Sequence, residues 1–226
     1  MPRPSEYRSR LQETRWLSAN TFELRLARPE GFAFRAGQHI RLQAKGLERD
    51  YSLTSGPEDT PLALLIRHMT EGALTPFLAS LEPGSEIAFS GPRGHFAFRP
   101  SERSAVFVAT GTGIAPFSAM VRSGARDFLL LHGVRAAEDL YYEDLFRAAA
   151  GEVVPCLTGL GAGQSPRPGV FPGRVTAYLE ANLPQGAYDF YLCGREEMIR
   201  DVTLLVDEAF TGSRVYAEIF FAGAGD

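Results

Sequence analysis

Lysine is nearly missing from this chain and cysteine is scarce. Lys45 is the single lysine, so arginine carries the positive charge, and 23 basic against 27 acidic residues leave a net charge of −4. That balance excludes a dedicated nucleic-acid binder, which needs a basic excess. Two cysteines, Cys156 and Cys193, cannot build a disulfide framework or the four-thiolate cradle of an iron–sulfur cluster. No run approaches the roughly 20 apolar residues of a membrane span, and Met1-Pro2-Arg3-Pro4 has no signal-peptide core. A cytoplasmic protein without membrane insertion is expected. Repeats and low-complexity tracts are absent as well.

What is present suffices for two cores. At 226 residues and 45% hydrophobic, one or two domains can bury roughly 70% of their unfolded surface without a staple. The first half alternates: Phe22, Leu24 and Leu26 are separated by Glu23 and Arg25, the period of a half-buried strand. Further short strands are expected at 38–44, 49–55, 62–69 and 86–91, with one helix near 74–81, divided by Gly37, Gly46, Gly56-Pro57 and Pro83-Gly84. This spacing predicts a small antiparallel barrel.

The rhythm changes near residue 100. Ala105-Val106-Phe107-Val108-Ala109 is continuously apolar, as a strand buried on both faces requires. Strand-then-helix units follow at 105–109 and 115–123, 128–132 and 138–149, 152–157 and 173–182, and 188–192 and 195–210, with a last strand at 214–220. Alternation of this kind predicts a parallel sheet flanked by helices. The fold class is therefore β followed by α/β: a barrel at 1–98, a linker at 99–104 and a nucleotide-binding α/β domain at 105–226.

Two segments could carry chemistry. Gly111-Thr112-Gly113-Ile114-Ala115-Pro116 sits where the first buried strand meets its helix; glycines admit a ligand close to the backbone, and free N–H groups at a helix start attract a pyrophosphate. A plain glycine turn would look the same. In Arg49-Asp50-Tyr51-Ser52, strand geometry puts Arg49 and Tyr51 on one face and Ser52 on the other. Arginine grips phosphate as a fork and tyrosine offers a ring for stacking, although an exposed arginine beside a packed tyrosine is the plainer account.

Together the two segments make the chain resemble the ferredoxin–NADP reductase family, in its compact bacterial form without an iron–sulfur domain. Five further segments are similar in the same order: Phe34-Arg35-Ala36-Gly37-Gln38, Gly72-Ala73-Leu74-Thr75-Pro76, Gly91-Pro92-Arg93-Gly94-His95-Phe96, Leu192-Cys193-Gly194 with Met198, and Glu218-Ile219-Phe220. The resemblance runs from about residue 5 to 221. It implies that Arg49 pairs with a flavin pyrophosphate, Tyr51 stacks on the isoalloxazine and Ser52 hydrogen-bonds near N5, with Asp50 in the same strand. It further implies that Ile66, Arg67 and His68 line the flavin, and that Gly72, Leu74 and Thr75 offer it a helix start. Gly111 to Pro116 would hold the nicotinamide nucleotide, with Thr112 near both cofactors. Cys193, Gly194 and Met198 would border the nicotinamide, Glu218 the flavin edge, and Phe220 or Phe221 would cover the ring. Ser52, Cys193 and Glu218 are the catalytic candidates.

The implied cofactors are FAD, ahead of FMN, and NADPH, ahead of NADH, the latter because Arg135 and Arg174 fall where related reductases hold the 2′-phosphate. Against NADPH, Thr158 stands in a segment where a third arginine is expected, and Glu138 and Asp139 could bind a ribose diol. The implied partner is a separate carrier, ferredoxin or flavodoxin, steered by Arg3, Arg8, Arg10, Arg15, Arg25, Arg28 and Arg35. A reductase of free flavin, and an electron-transfer subunit of a larger complex, are the competing readings. The chain departs from the family at Arg195, where proline is usual, and in continuing past Phe221. No second aromatic motif is available for the adenine. His39, His95 and His132 lack metal spacing and read as structural, Cys193 could be a small buried hydrophobe, and Tyr141 and Tyr142 read as packing on a helix.

Overall fold

A computed structural model describes residues 5–160 and 167–219; Phe220 and Phe221 lie outside them. The chain forms two compact units. The first is built on strands β1 (Glu6–Ser18), β2 (Thr21–Leu26), β3 (His39–Ala44), β4 (Leu47–Ser52), β5 (Leu62–Arg67) and β6 (Glu86–Arg93), with helix α1 (Leu74–Ala79). The strands pair in the order β4-β3-β6-β1-β2-β5, all antiparallel. Alternate residues turn inward: Phe22, Leu24 and Leu26 meet Ile40, Leu42, Leu62, Leu64, Ile66 and Phe89 in one core. The sheet closes on itself where Leu53 bridges Leu64 and Thr54 N–H donates to the Ala63 carbonyl at 2.9 Å.

The longest strand, β1, was not expected. Glu6, Arg8, Arg10, Gln12, Glu13 and Arg15 face solvent and only Leu11 of its apolar residues is fully buried, so its sequence carries too little alternation to announce a strand. Its place is fixed by the ladders to β2 and β6 on either side.

In the second unit, β7 (Ser104–Thr110), β8 (Leu129–Val134), β9 (Glu152–Leu157), β10 (Phe171–Pro172), β11 (Tyr188–Gly194) and β12 (Arg214–Ile219) form a parallel sheet in the order β10-β9-β8-β7-β11-β12. On one side Val106, Val108, Leu131, Phe190 and Leu192 pack with residues of α4 (Val175–Asn182) and α5 (Glu196–Ala209). On the other, Phe107 stacks on Phe128 with ring centres 4.3 Å apart and meets Tyr191, which stacks on Tyr216 at 4.8 Å. The helix expected at 138–149 is instead a 3-10 turn at Ala137–Asp139 and a five-residue helix, α3 (Glu143–Arg147). Tyr142 breaks it with φ of 60°, a conformation no helix continues through. Tyr141 is buried and donates its hydroxyl proton to Asp139 at 3.0 Å.

The expected contiguous division, a barrel at 1–98 and a linker at 99–104, does not follow the packing of one helix. α2 (Ala115–Arg122) belongs with the barrel unit. Phe117 meets Phe96 with ring centres 5.7 Å apart, Ser118 Oγ donates to the Thr54 carbonyl at 3.0 Å, and Arg122 pairs with Asp59 at 3.8 Å. Among the described residues no helix is long and apolar enough to cross a membrane.

Candidate active site

In the first unit the candidates gather at the seam between β4 and β5. The last bridge there is Leu53–Leu64. Continuing its antiparallel register sets Tyr51 opposite Ile66 and Arg49 opposite His68, but past the bridge no named ladder joins the two strands. One lip of this seam is Arg49-Asp50-Tyr51-Ser52 and the other is Ile66-Arg67-His68. Ser52 Oγ is buried and has no hydrogen-bond partner among the described residues, a costly state for a hydroxyl unless a ligand completes it. Tyr51 is half-buried against the barrel core. Arg49 is half-buried and donates to the Glu48 carbonyl at 2.9 Å.

Asp50 is otherwise engaged. Arg41 on β3 grips it as a fork, Nε to Oδ1 at 2.8 Å and Nη2 to Oδ2 at 2.7 Å. Burial would raise the Asp50 carboxyl, but the Arg41 hydrogen bonds together with His39, Arg41 and Arg93 charges hold it below its ordinary value. Its side chain therefore braces β4. Arg67 is exposed and Ile66 fully buried, so Ile66 can meet a ligand only through its backbone. The loop from His68 to α1 is pinned by Thr75, whose Oγ1 accepts from Met69 N–H at 2.9 Å, and Gly72 N–H donates to the Met69 carbonyl at 3.0 Å. Leu74 is buried.

The second unit has its own focus. Strand order reverses at β7, with β8 on one side and β11 on the other, and open parallel sheets bind ligands beyond the carboxyl ends of strands at such a point. Gly111–Ile114 forms a 3-10 turn there, directly followed by Ala115 and Pro116 of α2, both buried. The turn lies on the end of β11: a Cβ at Gly113 would stand 2.3 Å from the Cys193 carbonyl oxygen. Gly194, with φ of 145°, comes so close to β7 that a Cβ would meet Thr110 Oγ1 at 2.1 Å. Thr110 Oγ1 accepts from Arg195 N–H at 2.9 Å. His132 Nε2 lies 2.9 Å from the Gly111 carbonyl, which needs a proton donated, so Nε2 carries the hydrogen. Burial pushes the His132 ring down to about 4, and it stays neutral at pH 7.

Cys193 is fully buried and register-paired with Glu218 on β12. Burial, and then the Glu218 charge, drive its thiol well above its ordinary range. A neutral thiol is neither a nucleophile nor a metal ligand. Met198 is packed into the aliphatic core beneath α5, supporting the β11 end rather than lining it. Arg135, just past β8, and Arg174, just before α4, are both exposed and form no ion pair among the described residues. Thr110, His132 and Arg41 escaped sequence reading as site residues because they act on the backbone or on another side chain, which no spacing rule records.

Comparison with known proteins adds an independent line. Residues 8–98 match the family model described as "Oxidoreductase FAD-binding domain" and residues 107–203 that described as "Oxidoreductase NAD-binding domain". The toluate 1,2-dioxygenase electron transfer component of Pseudomonas putida is 32% identical over 96% of this chain and 68% of its own length. Ferredoxin–NADP reductase B of Sorangium cellulosum is 35% identical over 64% of each chain. The chain spans about two thirds or less of three such curated relatives, at 68%, 64% and 59% of their lengths. Among solved structures, a ferredoxin–NADP⁺ reductase from Neisseria gonorrhoeae with bound FAD and NADP superposes with a TM-score of 0.80 at 22% identity, covering 94% of this chain and 98% of that one.

Proposed function

The chain belongs to the ferredoxin–NADP reductase family of FAD- and NAD(P)-binding oxidoreductases, and on that footing we propose that it draws hydride from NADPH onto a resident FAD and passes electrons singly to a separate redox protein: a ferredoxin, a flavodoxin or an oxygenase component. When bound, FAD supplies the conversion between two-electron and one-electron traffic. The chain's own residues bind, orient and screen.

Arg49 is suited to the pyrophosphate by its fork of donors, and Tyr51 offers its ring for stacking. Asp50, with its carboxylate held by Arg41, contributes through backbone, as do Ile66 and Leu74; Arg67, His68, Gly72 and Thr75 complete that border. The observation that carries the reading is the buried Ser52 hydroxyl, which has no hydrogen-bond partner among the described residues and lies beside the residues that would cradle a flavin, where it could donate to a ring nitrogen. The Gly111–Ile114 turn with Thr112, the helix start Ala115-Pro116, and Gly194 would hold the nicotinamide nucleotide. The neutral Cys193 thiol and Glu218 would border the nicotinamide, and Met198 would support that border from below. Arg135 and Arg174 would share the 2′-phosphate.

Purified protein tests this directly. It should be yellow, with one FAD per chain retained through gel filtration, and should reduce cytochrome c with NADPH only when a ferredoxin or flavodoxin is added. Colourless protein that turns over only with free flavin would overturn the resident-cofactor reading.

A further inference from the structure

Trp16 is the only tryptophan of the chain, and it stands on β1 with 47% of its surface exposed. Its position is nevertheless fixed. Across the β1–β2 ladder it is paired with Phe22, whose ring centre lies 5.1 Å away, and the His68 ring meets it at 5.4 Å and 70°, edge against face. Phe22 is itself fully buried in the barrel core. Two neighbours thus hold the indole while nearly half of it faces water. An indole fixed by two rings and open to water on its remaining surface is suited to stacking a planar aromatic group.

His68 ties this platform to the seam. The bridge Leu53–Leu64 and the hydrogen bond from Thr54 to Ala63 share one antiparallel register, whose continuation sets Arg49 opposite His68. Resting on the reading of the seam as a flavin site, the ring lies by Tyr51 and the pyrophosphate by Arg49, two strand residues or about 7 Å further along. The dinucleotide therefore runs toward His68, whose ring meets Trp16. We propose that Trp16 is the stacking platform for the adenine of FAD, held in orientation by His68 and Phe22, and that it makes the barrel select FAD over FMN, which has no adenine. The sequence hides this role because Trp16 lies in a charged strand some way from every other flavin position.

Equilibrium binding of FAD and of FMN to the apoprotein, by titration calorimetry, separates the possibilities in wild type, Trp16→Ala and Trp16→Phe. Stacking of a base on an aromatic ring implies that Trp16→Ala weakens FAD by about 10-fold, leaves FMN within about 2-fold, and is largely rescued by Trp16→Phe. Apoprotein melting temperature reports whether Trp16→Ala folds. AMP gives a second readout: it absorbs too far to the blue to take energy from an indole, so quenching of the single tryptophan's emission by AMP reports stacking. Equal weakening of both flavins, or of neither, or AMP without effect on the emission, would overturn the proposal. Wild-type apoprotein that binds neither flavin would remove the flavin reading of the seam and this proposal with it, whereas tight binding of both without discrimination by Trp16→Ala removes this proposal alone.

Discussion

Arg49 and Asp50 are neighbours on β4 with opposite duties. Arg49 is expected to hold a ligand and Asp50 is held by Arg41, so their substitutions should separate cleanly. Arg49→Ala should weaken flavin by roughly 1.5–3 kcal/mol, one to two decades of affinity, while the apoprotein melts as before; retention of flavin with wild-type affinity would remove the role. His132 should show itself through pH. Its folded ring titrates near 4 and an unfolded one near 6.5, so the unfolded chain takes up the proton first and stability falls as pH drops from about 6.5 toward 4. The loss reaches up to about 3 kcal/mol. Urea unfolding across that range should show His132→Gln, which keeps a donor for the Gly111 carbonyl, with a flatter profile than wild type. The two thiols should be inert: burial raises Cys156 to about 12 and pushes Cys193 well above its ordinary range, so a disulfide reagent at pH 8 should titrate neither until the protein is unfolded. Of the seven arginines expected to steer a carrier, Arg8 pairs with Glu86, Arg25 with Glu23, and Arg28 is turned onto the Phe32 and Pro57 carbonyls. Arg10 donates to the Gly84 carbonyl at 3.4 Å and Arg3 lies outside the described residues, which leaves Arg15 and Arg35 of that set.

The elements around the nucleotide turn are packed to backbone contact, and one glycine tests this. Gly113 has an ordinary backbone conformation, so Gly113→Ala probes space alone: its methyl would meet the Cys193 carbonyl at 2.3 Å, and the turn must lift off β11. Overpacking of this kind costs about 1–3 kcal/mol. A lower melting temperature and a higher KM for NADPH are expected, and an unchanged pair of values would show that the turn yields. The elements most legible in the sequence were those whose burial repeats with a fixed period, such as β2, β7 and α5. β1 was illegible because its partners, not its own residues, hold it, and the break at Tyr142 because a left-handed tyrosine has no local signature. For the candidate site, the β4 segment and the glycine turn stood out in the sequence as candidates. The Arg41 fork, the His132 anchor and the Trp16–His68 contact did not, since each joins residues on different strands.

At the scale of the molecule, coenzyme choice follows from charge. The 2′-phosphate carries about two negative charges, and Arg135 and Arg174 are both exposed and without an ion pair among the described residues. Wild type should show higher kcat/KM for NADPH than for NADH, and Arg135→Ala should narrow that ratio by roughly tenfold or more, a fork to phosphate contributing about 1.5–3 kcal/mol. Preference for NADH, or an unaltered ratio in the variant, would reassign both arginines. The placement of α2 has a different consequence, for recombination between relatives. A crossover in the polar segment 98–104 looks harmless on paper, yet it parts Phe117 from Phe96 and Ser118 from the Thr54 carbonyl. Hybrids joined there should melt lower than either parent, and moving Ala115–Ser123 along with its native barrel should restore them. The heritable module is thus an interrupted one, with nine residues written downstream of the gene segment they serve.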